Sequence, residues 1–594
     1  MQDHQGNDQK NFIVAMVLSG VVLLGYWFFF GKPLAEKARI DAQNELARAE
    51  AIEANPPAPI EARDVVINRA AIEGKRITID TASLKGSFNT TGTRFDDIQL
   101  KNYNKTLDAE DGKVVLLTPE GADLAAYLAD NWVGMTDGFG FETPWAVASG
   151  DTLTENTPVV LQAEVNGIVI ERTISIDDRY LVTLTDKLTN TSNGERTLTR
   201  KGVSRQHELA EDLTNFFIIQ EGPISVVDNK YHEWKYKKLT KKETWTETGA
   251  GGWVGLTDKY WLSAAIAPQG QNITADYTYR SINAQNVYET SYALAPLTLT
   301  PGVTVESVGH LYIGAKDWGV LKSYEEEVGI TQMTNAIGWG LFKVLVKPIN
   351  WSLSKLGDLL GNYGLGILAL TFIIKLLMFP LFNKQYESQA KMKMVQPKVK
   401  KLQALYKDDR MKMQQEMMAI YKKEGVNPAA GCLPIIPTIF VFFSLYKAVF
   451  INIDLRHEPF FGWIRDLSAK DPLSILNGFG LLPWDAVPIP ILGFVAIGPL
   501  AILYGISMAL IYTLTPPQAG GGEQAEMMGK VMKFMPWIFM FVLAPFPTGL
   551  LLYWVWNNVL SFGQQYYITR KFKVDTPVDK FWRRITGKEE PVKD

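Results

Sequence analysis

Cysteine is nearly missing: the 594 residues contain one, Cys432. An intramolecular disulfide framework is excluded, so any exported domain must be held together by packing. Histidine is scarce as well, limited to His4, His207, His232, His310 and His457. The sequence has no His-Glu-x-x-His pair, paired-cysteine metal set, phosphate-binding loop or Gly-x-Ser-x-Gly elbow. Hydrolase and nucleotide chemistry therefore lack their usual carriers, and no metal or cofactor is expected. His207-Glu208 is the one pair that a sugar-active domain would use. Neighbours in a strand point to opposite sides, which argues against it.

A large net charge is also lacking, at −3, and mean hydropathy is −0.03. The near-balance hides a strong asymmetry. Lys384 to Glu424 holds 11 Lys/Arg against 5 Asp/Glu, and Arg570 to Asp594 holds 8 against 5. The rest of the chain is acidic. Basic segments of this kind orient a membrane protein with those segments in the cytoplasm.

Long apolar runs are present. Asn11–Phe30 ends in Tyr26-Trp27-Phe28-Phe29-Phe30, an interfacial aromatic belt in place of the small residues of a cleavage site, so residues 1–31 read as a tail and uncleaved signal anchor. Residues 32–61 read as a charged, Ala-rich linker broken by Pro56-Pro57 and Pro59. Further runs are Gly361–Phe382, Cys432–Ile451, Pro488–Leu514, the short Phe534–Ala544, and Thr548–Thr569. Six spans with both basic segments inside make a consistent topology. The loop Asp454–Trp484 and everything between the first two spans then lie outside.

Between those spans the apolar period changes to two. Arg76–Asp80 alternates, Val159–Ile176 reads as two strands joined by Asn166-Gly167, and Tyr180–Asp186 follows before a turn at Thr191–Gly194. Residues 62–325 are therefore expected to form a large β-sandwich, with the aromatic stretch Trp253–Trp261 mainly in its core. Residues 336–354 read as an amphipathic helix lying in the membrane interface.

Lys375 is the single ionisable group inside the run Gly361–Phe382, and Thr371 shares its face one turn earlier. A charge at that depth costs about 2.5–3.5 kcal/mol, which marks it as a functional candidate. The last run carries Tyr553, Asn557, Ser561, Gln564 and Gln565 at helical spacing. Such a stripe serves either as helix–helix glue or as the wall of a hydrophilic cavity shared with Lys375. The basic segment 384–424 reads as a helical hairpin and holds six of the chain's 17 methionines, including Met392, Met394, Met417 and Met418. Flexible thioethers suit varied apolar partners. Its lysines, Lys391 and Lys393 among them, suit anionic lipid or ribosomal phosphates alike.

Thr371-Phe-Ile-Ile-Lys-Leu-Leu-Met-Phe-Pro-Leu381, Lys391-Met-Lys-Met-Val-Gln-Pro-Lys398, Gln415-Glu-Met-Met-Ala-Ile-Tyr-Lys422, Val426-Asn-Pro-Ala-Ala-Gly-Cys-Leu-Pro434 and Phe546-Pro-Thr-Gly-Leu-Leu-Leu-Tyr-Trp-Val-Trp-Asn-Asn558 follow in order. Together they resemble the YidC family of bacterial membrane protein insertases. The anchor and β-region resemble its Gram-negative form. That resemblance implies a polytopic α-helical protein of six transmembrane helices with an all-β periplasmic domain of β-supersandwich type. It implies a five-helix core over 355–569, a basic cytoplasmic tail over 570–594, and a positively charged hydrophilic groove. Lys375 stands where the family usually has arginine, Trp554 where a second tyrosine is frequent, and Pro437-Thr438 where a glutamine is frequent. The groove expected on this basis comprises Lys375, Thr371, Thr438, Tyr553, Trp554, Asn557, Ser561 and Gln564.

The resemblance also implies an inner-membrane insertase and chaperone without covalent chemistry. Its partners would be nascent membrane proteins, the SecYEG translocon, the ribosome, through the hairpin and tail, and the lipid bilayer. No small-molecule substrate and no DNA are expected. Two other readings are a secondary transporter binding an anionic solute at Lys375 and a membrane-anchored carbohydrate-active protein. Against the transporter, no internal repeat is visible.

Overall fold

The computed structural model describes residues 60–587 except 135–137, 210–212, 214–218, 243, 283–284, 407–408, 426–434, 483–495 and 516–522. The first apolar run, nearly all of the linker, Cys432 and the last seven residues lie outside the described residues.

Two large sheets face each other, one of 11 strands and one of nine among the described residues. The alternation in the sequence is the cause. In the strand Ile168–Ile176 every second residue is buried, and the partner strand Val159–Val165 joins it through Asn166 and Gly167, both at positive φ. That pair of left-handed residues matches the twist of a tight hairpin. Trp253 is fully buried and its indole N–H donates to the Thr331 carbonyl (3.1 Å), whereas Trp261 is half-buried.

A short 3-10 turn, Met333–Ile337, ends this domain and packs in its core. The helix expected over 336–354 is displaced: α1 spans Lys343–Leu360. Gly338 and Gly340 both take positive φ and hold the helix off until Lys343. Val346 on α1 packs into the β-domain core, while Leu341 just before it, Val344 and Leu359 are strongly exposed.

Next comes α2, Tyr363–Leu377, capped by the Asn362 side chain, which accepts from the Leu365 N–H (3.0 Å). The joint between α1 and α2 is glycine-lined. A Cβ on Gly366 would sit 3.0 Å from the Gly357 nitrogen, and one on Gly357 would overlap the Tyr363 ring.

Gly361–Phe382 is not one continuous helix. It breaks at Met378, and α3, Phe379–Leu405, leaves at 68° to α2. Pro380 is the physical reason: it has no N–H to give to the preceding turn, but it fits the first turn of a new helix. Lys375 therefore lies in the last turn of α2. The hairpin continues with α4, Arg410–Lys423, whose first turn is capped by Asp409 accepting from the Lys412 N–H (3.0 Å).

The remaining helices are α5 (Ile435–Ile451), α6 (Pro499–Leu514), α7 (Glu523–Leu543), α8 (Thr548–Lys571) and α9 (Pro577–Thr586). Among the described residues no single helix is long and apolar enough to cross a membrane; only the bent pair α2 and α3 passes together. The apolar core of this half is built by α1, α2, α5, α6 and α8, around Leu353, Leu370, Tyr446, Leu550 and Trp554.

Candidate functional site

Lys375 projects from the end of α2 onto α8. Its ammonium donates to Ser561 Oγ at 2.7 Å and lies 4.2 Å from the centroid of the Phe382 ring. The Ser561 hydroxyl in turn donates to the Asn557 carbonyl at 2.6 Å. Among the described residues no carboxylate pairs with Lys375, and the side chain is half-buried. The C-terminal end of α2 offers partial negative charge nearby, a weak substitute for a counter-ion.

Polar contacts continue along α8 one turn further. Gln564 donates to Asn383 Oδ1 at 2.8 Å, and Gln565 donates to Gln389 Oε1 at 2.9 Å while its own Oε1 has no hydrogen-bond partner. Asn383 and Gln389 lie outside the expected groove because the apolar run ends at Phe382 and neither carries the charge or the thioether that marks the hairpin. Ser507 on α6 accepts from Asn558 at 3.1 Å, and Trp556 donates to the Leu368 carbonyl at 3.2 Å. These last two bonds tie α8 to its neighbours.

The other expected groove residues are placed differently. Thr371 is buried and its hydroxyl donates back to the Ile367 carbonyl (2.7 Å). Trp554 is buried too, its ring stacked on Phe442 (5.8 Å, 8°) and on Tyr446 (6.4 Å, 13°). Trp554 is thus part of the aromatic core of the helices. Tyr553 is buried against Phe442, and Asn557 and Thr438 are half-buried. Tyr553 lies eight residues before Ser561, roughly 12 Å along the helix. The helices are therefore aromatic at the level of Tyr553-Trp554 and polar at the level of Lys375.

In the hairpin, Met417 is buried with Val395, Val399 and Tyr421, and Met392 packs against that seam. Met417 therefore serves the hairpin itself. Met394 and Met418 are exposed, and Lys391 lies with its ammonium 6.0 Å from the Phe572 ring. Lys393 donates to the Thr513 carbonyl at the end of α6 (3.4 Å).

The β-domain holds a second charge site, outside the residues expected from the sequence. Arg172, Asp186, Arg200 and Asp130 are all fully buried. Arg172 grips Asp186 with two bonds (2.7 and 2.8 Å), Arg200 donates to Asp130 (2.8 Å), and Trp132 donates to Asp186 (2.8 Å). Burial alone would raise Asp186, but the two guanidiniums outweigh it and hold the carboxyl below its usual range. Parity is the signal that finds these residues. Arg172 shares the inward register of Ile168, Ile170, Ile174 and Ile176, and Asp186 that of Val182, Leu184 and Leu188.

In the disfavoured pair His207-Glu208, Glu208 accepts from both the backbone and the side-chain amide of Asn286 (2.9 Å each). Among the described residues no group of three or more His, Cys, Asp or Glu could hold a metal ion.

A two-sheet β-domain followed by a helical half with exposed apolar faces is the architecture of a membrane protein with one large soluble domain. The family described as YidC periplasmic domain matches residues 76–352, and that described as 60Kd inner membrane protein matches residues 355–576. The membrane protein insertase YidC of Maricaulis maris is 41% identical over 595 residues, covering 98% of this chain and 99% of its own. That of Cereibacter sphaeroides (strain ATCC 17029) is 40% identical, covering 95% and 93%, and that of Caulobacter vibrioides (strain NA1000) 37%, covering 98% and 99%. The chain belongs to the YidC family of membrane protein insertases. It is an inner-membrane protein with a periplasmic β-domain, it inserts membrane proteins, and it is not an enzyme.

Proposed function

We propose that the insertase works through a groove at the level of Lys375, walled by Ser561, Asn557, Gln564 and Asn383. The observation that carries this is the ammonium itself, held by one serine hydroxyl and no carboxylate. An acidic or polar part of an incoming chain gains there the charge–charge and hydrogen-bond partners that it loses on leaving water. The aromatic layer around Trp554 closes the groove toward the periplasm, and the substrate's apolar segment leaves sideways into lipid.

Six spans with both termini in the cytoplasm complete this reading, with residues 1–31 as anchor, 32–61 as linker, 62–325 as periplasmic domain, 355–569 as core and 570–594 as tail. Two contacts support the sidedness. Arg456, in the loop after α5, donates to the Asn104 and Lys105 carbonyls of the β-domain (2.8 and 3.0 Å), so that loop shares the β-domain's side. Lys393 of the hairpin meets the opposite end of the helices at Thr513. The exposed Met394 and Met418, with Lys391 and Lys393, form the surface for nascent chains and the ribosome, and the SecYEG translocon is the partner for larger substrates.

Insertion into proteoliposomes tests the groove. Lys375→Ala should slow substrates with acidic translocated segments about tenfold, the loss of one charge-assisted contact of ~1.5 kcal/mol, and neutral substrates much less. Lys375→Arg should retain activity because it keeps the charge. Equal activity of Lys375→Ala on both substrate classes would refute the groove's electrostatic role.

A further inference from the structure

The helix α9 is turned inside out. On a helical projection, Val578, Phe581, Trp582 and Ile585 form one contiguous face, and Asp579, Lys580 and Arg583 form the opposite one. In a helix packed on a soluble core the apolar face is inward. Here the polar face is inward: Asp579 and Thr576 are buried, whereas Phe581, Trp582 and Ile585 are 62%, 64% and 61% exposed.

The inversion is built in by specific bonds. Thr576 and Asp579 form a reciprocal capping box, and Asp579 also accepts from the Tyr566 hydroxyl (2.7 Å) and pairs with Arg570 (3.1 Å). Arg583 donates to Asp575 at 2.5 Å. Tyr566 and Arg570 belong to the last turns of α8, so the chain doubles back after Lys573 and α9 lies beside those turns. At the same level Tyr567 is 71% exposed, as an interfacial tyrosine is. At the edge of the apolar face stands Arg584, with Lys571 and Lys573 close in sequence, all exposed.

We propose that α9 is a membrane-surface helix: its Phe581–Trp582–Ile585 face enters the cytoplasmic interface of the bilayer, and its basic rim binds anionic phospholipid headgroups. Apolar residues dip into the headgroup boundary while the lysines and arginines remain at the charged surface. The Asp579 clamp fixes the helix at the interface level of α8, so little ordering entropy is lost on contact with lipid.

The test uses the full chain in a Cys432→Ser background, with Ile585→Cys carrying an environment-sensitive fluorophore, in lipid nanodiscs. With phosphatidylglycerol present, the expected result is blue-shifted emission, strong quenching by spin-labelled acyl chains and shelter from iodide. The same label at Lys580→Cys should respond the opposite way, to iodide and not to lipid. Arg584→Gln should shift the docked-to-undocked ratio about fivefold toward undocked. Equal docking in phosphatidylcholine alone would overturn the assignment to anionic lipid. A label quenched by iodide in every lipid, and sheltered only when ribosomes are added, would overturn the membrane assignment and make this face a ribosome dock.

Discussion

The two charge sites in this molecule are built on opposite terms. In the β-domain, two arginines and two aspartates are wholly withdrawn from solvent and saturate one another, with Trp132 and Tyr292 supplying further bonds to the carboxylates. In the helical half, Lys375 is half-buried and has one hydroxyl partner. A saturated site has no bonding capacity left for a visitor; it can only hold two sheets together. An undersaturated cation is poor scaffolding, and its unused donors are what a passing acidic segment would engage. The contrast separates stability from function by counting partners, and each experiment below either breaks it or sharpens it.

The largest effect is expected from Asp186→Ala. It leaves two guanidiniums buried without this carboxylate, and removal of one partner from such a site costs about 3–5 kcal/mol. Amide exchange in the strands Ile168–Ile176 and Leu181–Asn190, followed in the whole chain, should accelerate strongly. Insertion of a small substrate should persist if the groove is where function resides. Unchanged exchange would mean that the quartet is not a structural keystone.

Acid should strain the same domain next. Burial, reinforced by nearby Arg200, lowers the pKa of His310 to about 4 from its ordinary 6.5, and its Nδ1 lies 3.0 Å from Thr183 Oγ1. Between those two pH values the unfolded chain binds a proton that the folded chain refuses. The stability owed to neutral His310 is therefore intact above pH 6.5 and lost as pH falls toward 4, by up to a few kcal/mol. Protection of the strand Thr304–Ala315 should fall over this window, and His310→Gln should flatten the slope.

Lys375→Ala comes third, at ~1.5 kcal/mol on insertion of acidic substrates and close to nothing on the exchange of the β-strands. A large loss of β-domain protection would join the two sites and end the comparison. The smallest effect is expected from Gln564→Leu. It removes the bond to Asn383 at a partly solvated position and should cost under about 1 kcal/mol. It should nevertheless slow insertion measurably if that wall contacts substrate.

Much of the β-domain was legible because a half-buried strand writes its burial into the sequence at period two. The same period hid the quartet. Arg172 and Asp186 look like ordinary solvated charges until their parity is compared with that of Ile170 and Leu184. Lys375 was legible because a charge inside an apolar run is rare. The break at Met378 was not, because hydrophobicity continues through it to Phe382 and only Pro380 marks the new helix. The surroundings of Trp554 are not legible for a related reason: the sequence of one helix does not reveal which neighbours cover it, and Phe442 and Tyr446 come from another helix.

The glycine joint between α1 and α2 has a mechanical meaning. With no Cβ on Gly366, the two helices approach backbone to backbone at Gly357, with the Tyr363 ring packed on that glycine. Val346 ties the far side of α1 into the β-domain. The β-domain, α1 and the helix α2 that carries Lys375 are thus joined in series through close contacts. A pull on the periplasmic side would reach the lysine through them.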